Sequence, residues 1–214
     1  MATGPEPPRE CPLCPRLVAY RAANRAQFGD WFNAPVPSFG DPAARLAIVG
    51  LAPGLRGANR TGRPFTGDYA GELLYSTLSR FGLASGDYRA SPDDGLALQD
   101  AFIVNAVRCA PPDNKPTPLE IETCRGFLAA QLAALPNARA IIALGRVAHE
   151  SVVRCAGRPL AAAPFAHGAI HTLPRFTLFD SYHCSRYNTN TGRLTEAMFH
   201  AVFASALAWM QASA

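Results

Sequence analysis

The stretch "RLAIVGLAPGLRGANRTGRPFTGDYAGELLYSTLSRF", residues 45–81, contains the unit on which the fold prediction depends. Its apolar start, 45–50, is typical of a buried parallel strand, and its end, 69–81, has the apolar spacing of a helix. Between them, residues 50–68 contain five glycines, two prolines and three arginines. The stretch therefore predicts a strand, an irregular loop and a helix in succession.

The same alternation continues along the chain. Further apolar runs predict strands, and further amphipathic patterns predict helices; the strands are 101–107, 138–145 and 176–182, and the helices are 14–27, 118–134, 146–154 and 194–210. Strands that alternate with helices form right-handed crossovers. We therefore predict an α/β fold, a three-layer α/β/α sandwich with a central four-stranded parallel sheet, and we expect residues 1–214 to form one domain.

Ligands of such sheets bind beyond the carboxyl ends of the strands. In this chain those ends carry the loop 50–68, then Asn105 with "RCAPPDNKPTP" (108–118), and finally "YHCSRYNTNTGR" (182–193). The glycine-rich loop matches neither the P-loop pattern nor GxGxxG, which argues against a nucleotide hydrolase or a dinucleotide enzyme. Phe65 and Asp68 instead place an apolar ring and a carboxylate just before a helix, a combination that suits a planar, polar ligand.

The composition of the chain restricts its cellular compartment and its class of partner more than its function. The net charge of +4 permits an anionic partner without requiring one. The start "MATGPEPPRE" does not resemble a signal peptide, and no apolar run approaches the roughly 20 residues of a membrane span. We expect a cytoplasmic monomer with no membrane partner. In a reducing compartment the six cysteines are better interpreted as metal ligands, catalytic groups or buried side chains than as disulfides.

Four of the cysteines form two pairs. Cys11 and Cys14 lie in "CPLC", and Cys109 and Cys124 flank the loop that follows the second predicted strand. Four thiolates suit either a structural zinc ion or a four-iron four-sulfur (4Fe–4S) cluster, and the spacing does not separate them. We interpret Cys155 as a buried filler.

Taken together, the motifs resemble those of family 5, type B, of the uracil-DNA glycosylase superfamily. The loop "GLAPGLRGANRTGRPFTGD" is similar to the family's first motif, and three matches follow in the expected order: "NAVRCAPPDNKPTP" (105–118), "ALGRVAHES" (143–151) and "SYHCSRYNTNTGRLTEAMF" (181–199). The resemblance implies a monofunctional DNA repair glycosylase that flips uracil, and other deaminated bases, out of DNA and hydrolyses the N-glycosidic bond. It also implies a 4Fe–4S cluster on Cys11, Cys14, Cys109 and Cys124.

The resemblance further implies roles for individual residues. Phe65 would stack on the base, Asn105 would pair with its O4/N3 edge, and His183 would approach O2, with Ser185 beside it. Position 52 is alanine where the best-known branch of the superfamily has a catalytic aspartate, so we expect Ala52 only to line the substrate site. Asp68 is the remaining nearby acid; we expect it to position water or stabilise the sugar cation, although a helix N-cap is an alternative.

Basic residues of the same loops would contact DNA. The residues predicted to do so are Arg60, Arg63, Lys115, Arg186, Asn188 and Arg193, and Arg186 and Tyr187 are candidates to fill the vacated stack. The histidines His149, His167, His171 and His200 are assigned no function of this kind. Because Ala52 replaces a catalytic acid, a non-catalytic damaged-DNA-binding protein or a cluster-bearing redox module remains an alternative.

Overall fold

The computed structural model describes residues 6–212, which form a mixed six-stranded sheet between two layers of helices. The strands of this sheet are β1 (Phe39–Gly40), β2 (Leu46–Gly50), β5 (Ala101–Asn105), β6 (Ala140–Leu144), β7 (Ile170–Thr172) and β8 (Thr177–Ser181). Two further strands, β3 (Ala84–Ser85) and β4 (Ala97–Leu98), lie outside it. The helices are α1 (Pro15–Gln27), α2 (Ala58–Thr61), α3 (Tyr69–Arg80), α4 (Pro118–Ala133), α5 (Arg146–Cys155), α6 (Arg186–Asn190) and α7 (Glu196–Ala212).

The centre of the sheet is parallel, as the sequence predicts. Strands β5, β2, β6 and β8 lie side by side in that order and pair in parallel. Every residue of these four strands is buried, which agrees with their continuous apolar runs. The predicted three-layer α/β/α sandwich is confirmed.

The sheet also has two antiparallel edge strands that the sequence analysis did not predict. Strand β1 pairs with β5, and β7 pairs with β8. These edge strands have only two and three residues, too few for an apolar alternation to stand out from a loop. A separate small sheet joins β3 to β4.

Two apolar clusters cover the faces of the sheet. On one face, Leu74 and Leu78 of α3 and Phe199 and Phe203 of α7 pack against alternate residues of the central strands, such as Ile48. On the other face, the remaining alternate residues of the strands pack against α4 and α5. The parallel pairing of the central strands brings the carboxyl ends of β2, β5 and β8 to one edge of the sheet. Among residues 6–212, no helix combines the length and the apolar character needed to cross a membrane.

Candidate active site

A cavity of about 630 Å³ opens at the carboxyl edge of the central strands. The loop after β2, the last residue of β5 and the segment after β8 all contribute to its wall. The residues predicted from sequence that line it are Ala52, Phe65, Asp68, Asn105, His183, Ser185, Arg186 and Tyr187. The tertiary structure thus brings together side chains that are up to 135 positions apart in the sequence, from Ala52 to Tyr187.

Phe65 and Asn105 meet over Gly50 at the base of this cavity. A Cβ atom at position 50 would lie 2.6 Å from Phe65 Cζ and would also overlap Asn105 Oδ1, so only glycine permits this approach. Phe65 itself has a φ of +52°, a left-handed conformation that a non-glycine residue rarely adopts. The strand end and a strained loop residue therefore hold a ring and an amide side by side.

The side-chain oxygen of Asn105 is available to accept a hydrogen bond from a ligand. The Asn105 side chain is only 3% exposed, and among residues 6–212 its Oδ1 atom has no hydrogen-bond partner. An unsatisfied buried polar group costs roughly 1–3 kcal/mol in proteins. A ligand that donates a hydrogen bond at this position would offset that cost.

His183 lies opposite the Phe65 ring. The two ring centroids are 6.0 Å apart with an interplanar angle of 27°. Desolvation lowers the pKa of His183 to about 4, so its imidazole is neutral at pH 7 and offers a hydrogen bond rather than a charge. Asn188 Nδ2 donates a hydrogen bond of 2.8 Å to the His183 carbonyl and so helps to fix the segment that carries the ring.

Asp68 divides its two carboxylate oxygens between two tasks. Oδ1 accepts a hydrogen bond of 3.3 Å from the Gly71 amide and so caps helix α3. Oδ2 lies against the glycine-rich loop, where a Cβ atom at Gly54 would be 2.9 Å away. Desolvation raises the pKa of Asp68 above the usual range for aspartate. The cap is therefore present, and the second oxygen remains beside the cavity.

The segment after β8 forms the rim of the cavity. The Ser185 hydroxyl caps α6 by accepting a hydrogen bond of 3.4 Å from the Asn188 amide, while the residue still lines the cavity. Arg186 is exposed, and its guanidinium lies 5.1 Å from the centroid of the Tyr69 ring. Tyr187 is 72% exposed and also lines the cavity.

The structure corrects the sequence-based prediction that Arg63 contacts DNA. The residue is only 5% exposed, and its guanidinium makes hydrogen bonds of 2.7 and 2.8 Å with both oxygens of Asp94. The rings of Phe39 and Tyr75 lie 5.2 and 5.4 Å from it. A guanidinium enclosed in this way does not reach a phosphate. Arg63 instead ties the glycine-rich loop to the loop before β4.

Asn114 also lines the cavity, although the sequence analysis did not single it out. It follows Asp113, and both residues have left-handed backbones, with φ values of +56° and +54°. Asp and Asn adopt this conformation more readily than other non-glycine residues. The Asp-Asn pair in "PPDNKP" was therefore the available signal for a tight turn at the site.

The four cysteines predicted as ligands line one small cavity of their own, together with Leu17 and Val107. Two N–H groups point at their sulfurs: Arg21 Nη1 lies 3.8 Å from Cys109 Sγ, and the Arg108 amide lies 3.3 Å from Cys124 Sγ. Desolvation raises the pKa of Cys109 to about 12 and that of Cys124 to about 11. A bound cationic group would offset the cost of ionising these dehydrated thiols.

The spacing of these sulfurs bears on what they hold. Tetrahedral zinc with bonds of 2.3 Å places its four sulfurs about 3.8 Å apart. Within residues 6–212, however, the one group of three or more ligand atoms that all lie within 4.8 Å of one another is His149, His171 and Asp180, not the cysteines. Among the described residues, the four thiols therefore do not converge to the separation of a tetrahedral ion's ligands.

The group of His149, His171 and Asp180 is a hydrogen-bonded network in which His149 and Asp180 are buried and His171 is partly exposed. His149 Nδ1 lies 2.7 Å from Asp180 Oδ1, and His171 Nε2 lies 3.0 Å from Asp180 Oδ2. Zinc ligands with bonds of about 2.0 Å would be about 3.3 Å apart. These shorter separations are those of hydrogen bonds, and the network joins α5 and β7 to β8.

Residues 37–207 match the family described as the Uracil DNA glycosylase superfamily. The chain belongs to this superfamily. It is 49% identical over 195 residues to the type-5 uracil-DNA glycosylase of Thermus thermophilus, covering 88% of this chain and 89% of that relative. It is 42% identical over 189 residues to the type-5 uracil-DNA glycosylase of Pyrobaculum aerophilum, covering 86% and 82% of the two chains.

A type-4 member of the superfamily is also similar. The type-4 uracil-DNA glycosylase of Pyrobaculum aerophilum is 38% identical over 151 residues, which cover 70% of this chain and 63% of that relative. The matched family region contains the cavity residues from Ala52 to Arg186. It begins after Cys11 and Cys14, so the family match does not include the first cysteine pair.

Proposed function

We propose that this chain removes uracil from DNA by hydrolysing the N-glycosidic bond, which leaves an abasic site. The observation that carries the proposal is that Asn105 Oδ1, beside the Phe65 ring at the base of the cavity, has no hydrogen-bond partner among residues 6–212. The type-5 uracil-DNA glycosylases to which the chain is similar support it.

The base must first leave the stack, because the glycosidic carbon cannot be reached inside a duplex. Phe65 then stacks on the flipped base, and the Asn105 amide, with a donor and an acceptor side by side, pairs with the O4/N3 edge of uracil. Cytosine presents the opposite order of donor and acceptor. It would leave buried polar groups unpaired, and this cost rejects a normal base.

Bond cleavage leaves an anionic base and a cationic sugar. His183, neutral at pH 7, donates a hydrogen bond to O2 as negative charge develops on the base. Asp68 Oδ2 faces the other product and either positions the attacking water or stabilises the sugar cation. Ala52 contributes only a small apolar part of the cavity wall.

The rim of the cavity would hold the DNA. Arg186 and Arg193 are exposed and contact phosphates, and Asn188 stabilises the His183 segment. Tyr187 is the large exposed side chain of this rim, and it fills the space that the flipped nucleotide leaves. Other deaminated bases that present the same edge as uracil would also be substrates.

Cys11, Cys14, Cys109 and Cys124 would hold a 4Fe–4S cluster that joins the start of α1 to the loop after β5. The backbone and arginine N–H groups beside their sulfurs support this ligand set. The test is the iron and sulfide content of protein purified without oxygen. We expect four of each per chain, with loss in Cys109→Ser but not in Cys155→Ser; zinc without iron would contradict the proposal.

The proposed activity is tested by multiple-turnover release of uracil from a labelled duplex that contains one uracil. We expect strand scission only after alkali, because a monofunctional enzyme leaves an intact abasic strand. Binding to the same duplex without release of the base would contradict the proposal. That result would favour a damaged-DNA-binding protein in which catalysis was lost because position 52 carries alanine in place of an acid.

A further inference from the structure

Three exposed arginines at the carboxyl edge of the sheet lie over aromatic rings. The distances from guanidinium carbon to ring centroid are 5.1 Å for Arg186 over Tyr69, 4.7 Å for Arg193 over Tyr182, and 5.3 Å for Arg146 over Phe165. Arg146 is the first residue of α5, and the sequence analysis gave it no role.

Two of these pairs form one continuous group. The Phe165 and Tyr182 ring centroids are 6.2 Å apart, so the two rings link Arg146 to Arg193. The group lies directly beside His183. Tyr182 precedes His183 in the chain, and a Cβ atom at Gly145, the residue before Arg146, would lie 3.4 Å from His183 Cβ.

The charges of this group are largely uncompensated. Among residues 6–212, Arg193 has no carboxylate oxygen within 4.0 Å, and Arg146 has only the partly exposed Glu150, whose Oε1 is 3.9 Å away. Surface pairs of this kind contribute little. The rings cover the faces of both guanidiniums, and within the part of the chain that the structure describes their N–H edges remain free for an oxyanion.

We propose that Arg146, Phe165, Tyr182 and Arg193 form a phosphate-binding surface beside His183 that holds the DNA backbone next to the flipped nucleotide. A free arginine loses side-chain entropy when it is fixed on a ligand. The rings order each guanidinium before DNA arrives and so reduce this loss. The inference rests on the proposed action on DNA and adds Arg146 and Phe165 to it.

The test measures affinity for a uracil-containing duplex at several salt concentrations. Arg146→Met is expected to weaken binding several-fold and to reduce the slope of log affinity against log salt by about one. Arg154→Met is the matched control, because Arg154 is exposed on the same helix and, among residues 6–212, lies over no ring. We expect it to match the unmodified protein.

The role of the ring is tested by Phe165→Leu, which keeps apolar bulk but removes the aromatic face. It should weaken binding in the same direction as Arg146→Met, and the double variant should be no weaker than Arg146→Met alone. Equal effects of Arg146→Met and Arg154→Met would overturn the phosphate site. Additive effects of Arg146→Met and Phe165→Leu in the double variant would also overturn it. Failure of the unmodified protein to release uracil would instead contradict the proposed function.

Discussion

The rings of Phe65 and His183 lie 6.0 Å apart and within 27° of parallel, although 118 positions separate the two residues in the sequence. Phe65 belongs to the loop after β2 and His183 to the segment after β8. The two rings follow different strands of the parallel centre of the sheet. The distance and the angle between them therefore depend on the order of the strands in the sheet, which neither loop sets by itself. The predictions that follow concern this arrangement and its supports.

Gly50→Ala should abolish most of the uracil release, because its new methyl group would displace both the Phe65 ring and the Asn105 amide. We expect a loss of at least about 100-fold in the single-turnover rate, of the size seen when one stabilising group is lost. The control is Gly126→Ala on the exposed face of α4, where a Cβ atom meets nothing within 4 Å. That change should leave the rate intact and stabilise the fold by about 0.5–1 kcal/mol. Equal rates in both variants would contradict the assigned base site.

Asp68→Asn separates the helix cap from the charge. Asparagine also caps helices, so the free energy of unfolding should change little while the rate of base release falls by about 10²–10³. Asp68→Ala removes both functions and should also destabilise the protein by about 1 kcal/mol. A rate loss of less than about tenfold in Asp68→Asn would mean that the residue serves only as a cap.

The pH dependence of stability should report on His183. Its pKa is about 4 in the folded protein and 6.5 for a histidine in water, so the folded state binds fewer protons than the unfolded chain between these values. The stabilisation is therefore complete above about pH 6.5 and is lost as the pH falls towards 4. Chemical denaturation at several pH values should show this decline and a weaker one in His183→Gln. Activity should show no inflection near pH 6.5, since the imidazole remains neutral there.

Tyr187→Ala should affect duplex and single-stranded substrates differently. Only in a duplex does the flipped nucleotide leave a stacked gap, and one lost base–aromatic contact costs about 1–3 kcal/mol. We expect kcat/KM for the duplex to fall about 5- to 150-fold, with little change for a single strand that contains uracil. Tyr187→Phe should keep the activity on both substrates. An equal loss on both in Tyr187→Ala would place Tyr187 in the base pocket instead.

Arg63→Met should unfold the protein more easily rather than weaken DNA binding selectively. Removing one partner of a buried ion pair costs about 3–5 kcal/mol, and Arg63 holds the pKa of the buried Asp94 carboxyl well below its usual range. Denaturant titration checks this loss, with the exposed Arg56→Met as the control. A stable Arg63→Met protein with weakened DNA binding would instead support a direct contact between Arg63 and DNA.

The sequence by itself determined the central strands, the longer helices and the family. Buried five-residue strands leave a continuous apolar run, as β2 illustrates, and helices of ten residues or more leave a periodic pattern, as α3 illustrates. The parallel order then placed Asn105 and His183 at one edge of the sheet, because parallel strands share a direction. These properties depend on local spacing and on a general topological rule.

Only the tertiary structure decided how individual side chains are used. Arg63 and Arg186 both lie in polar segments of the sequence, yet one is enclosed with Asp94 and the other remains exposed over Tyr69. Asp68 caps a helix and also faces the cavity because the loop folds back over its second oxygen. The environment of a charge depends on residues distant in the sequence, and local patterns carry no information about those neighbours.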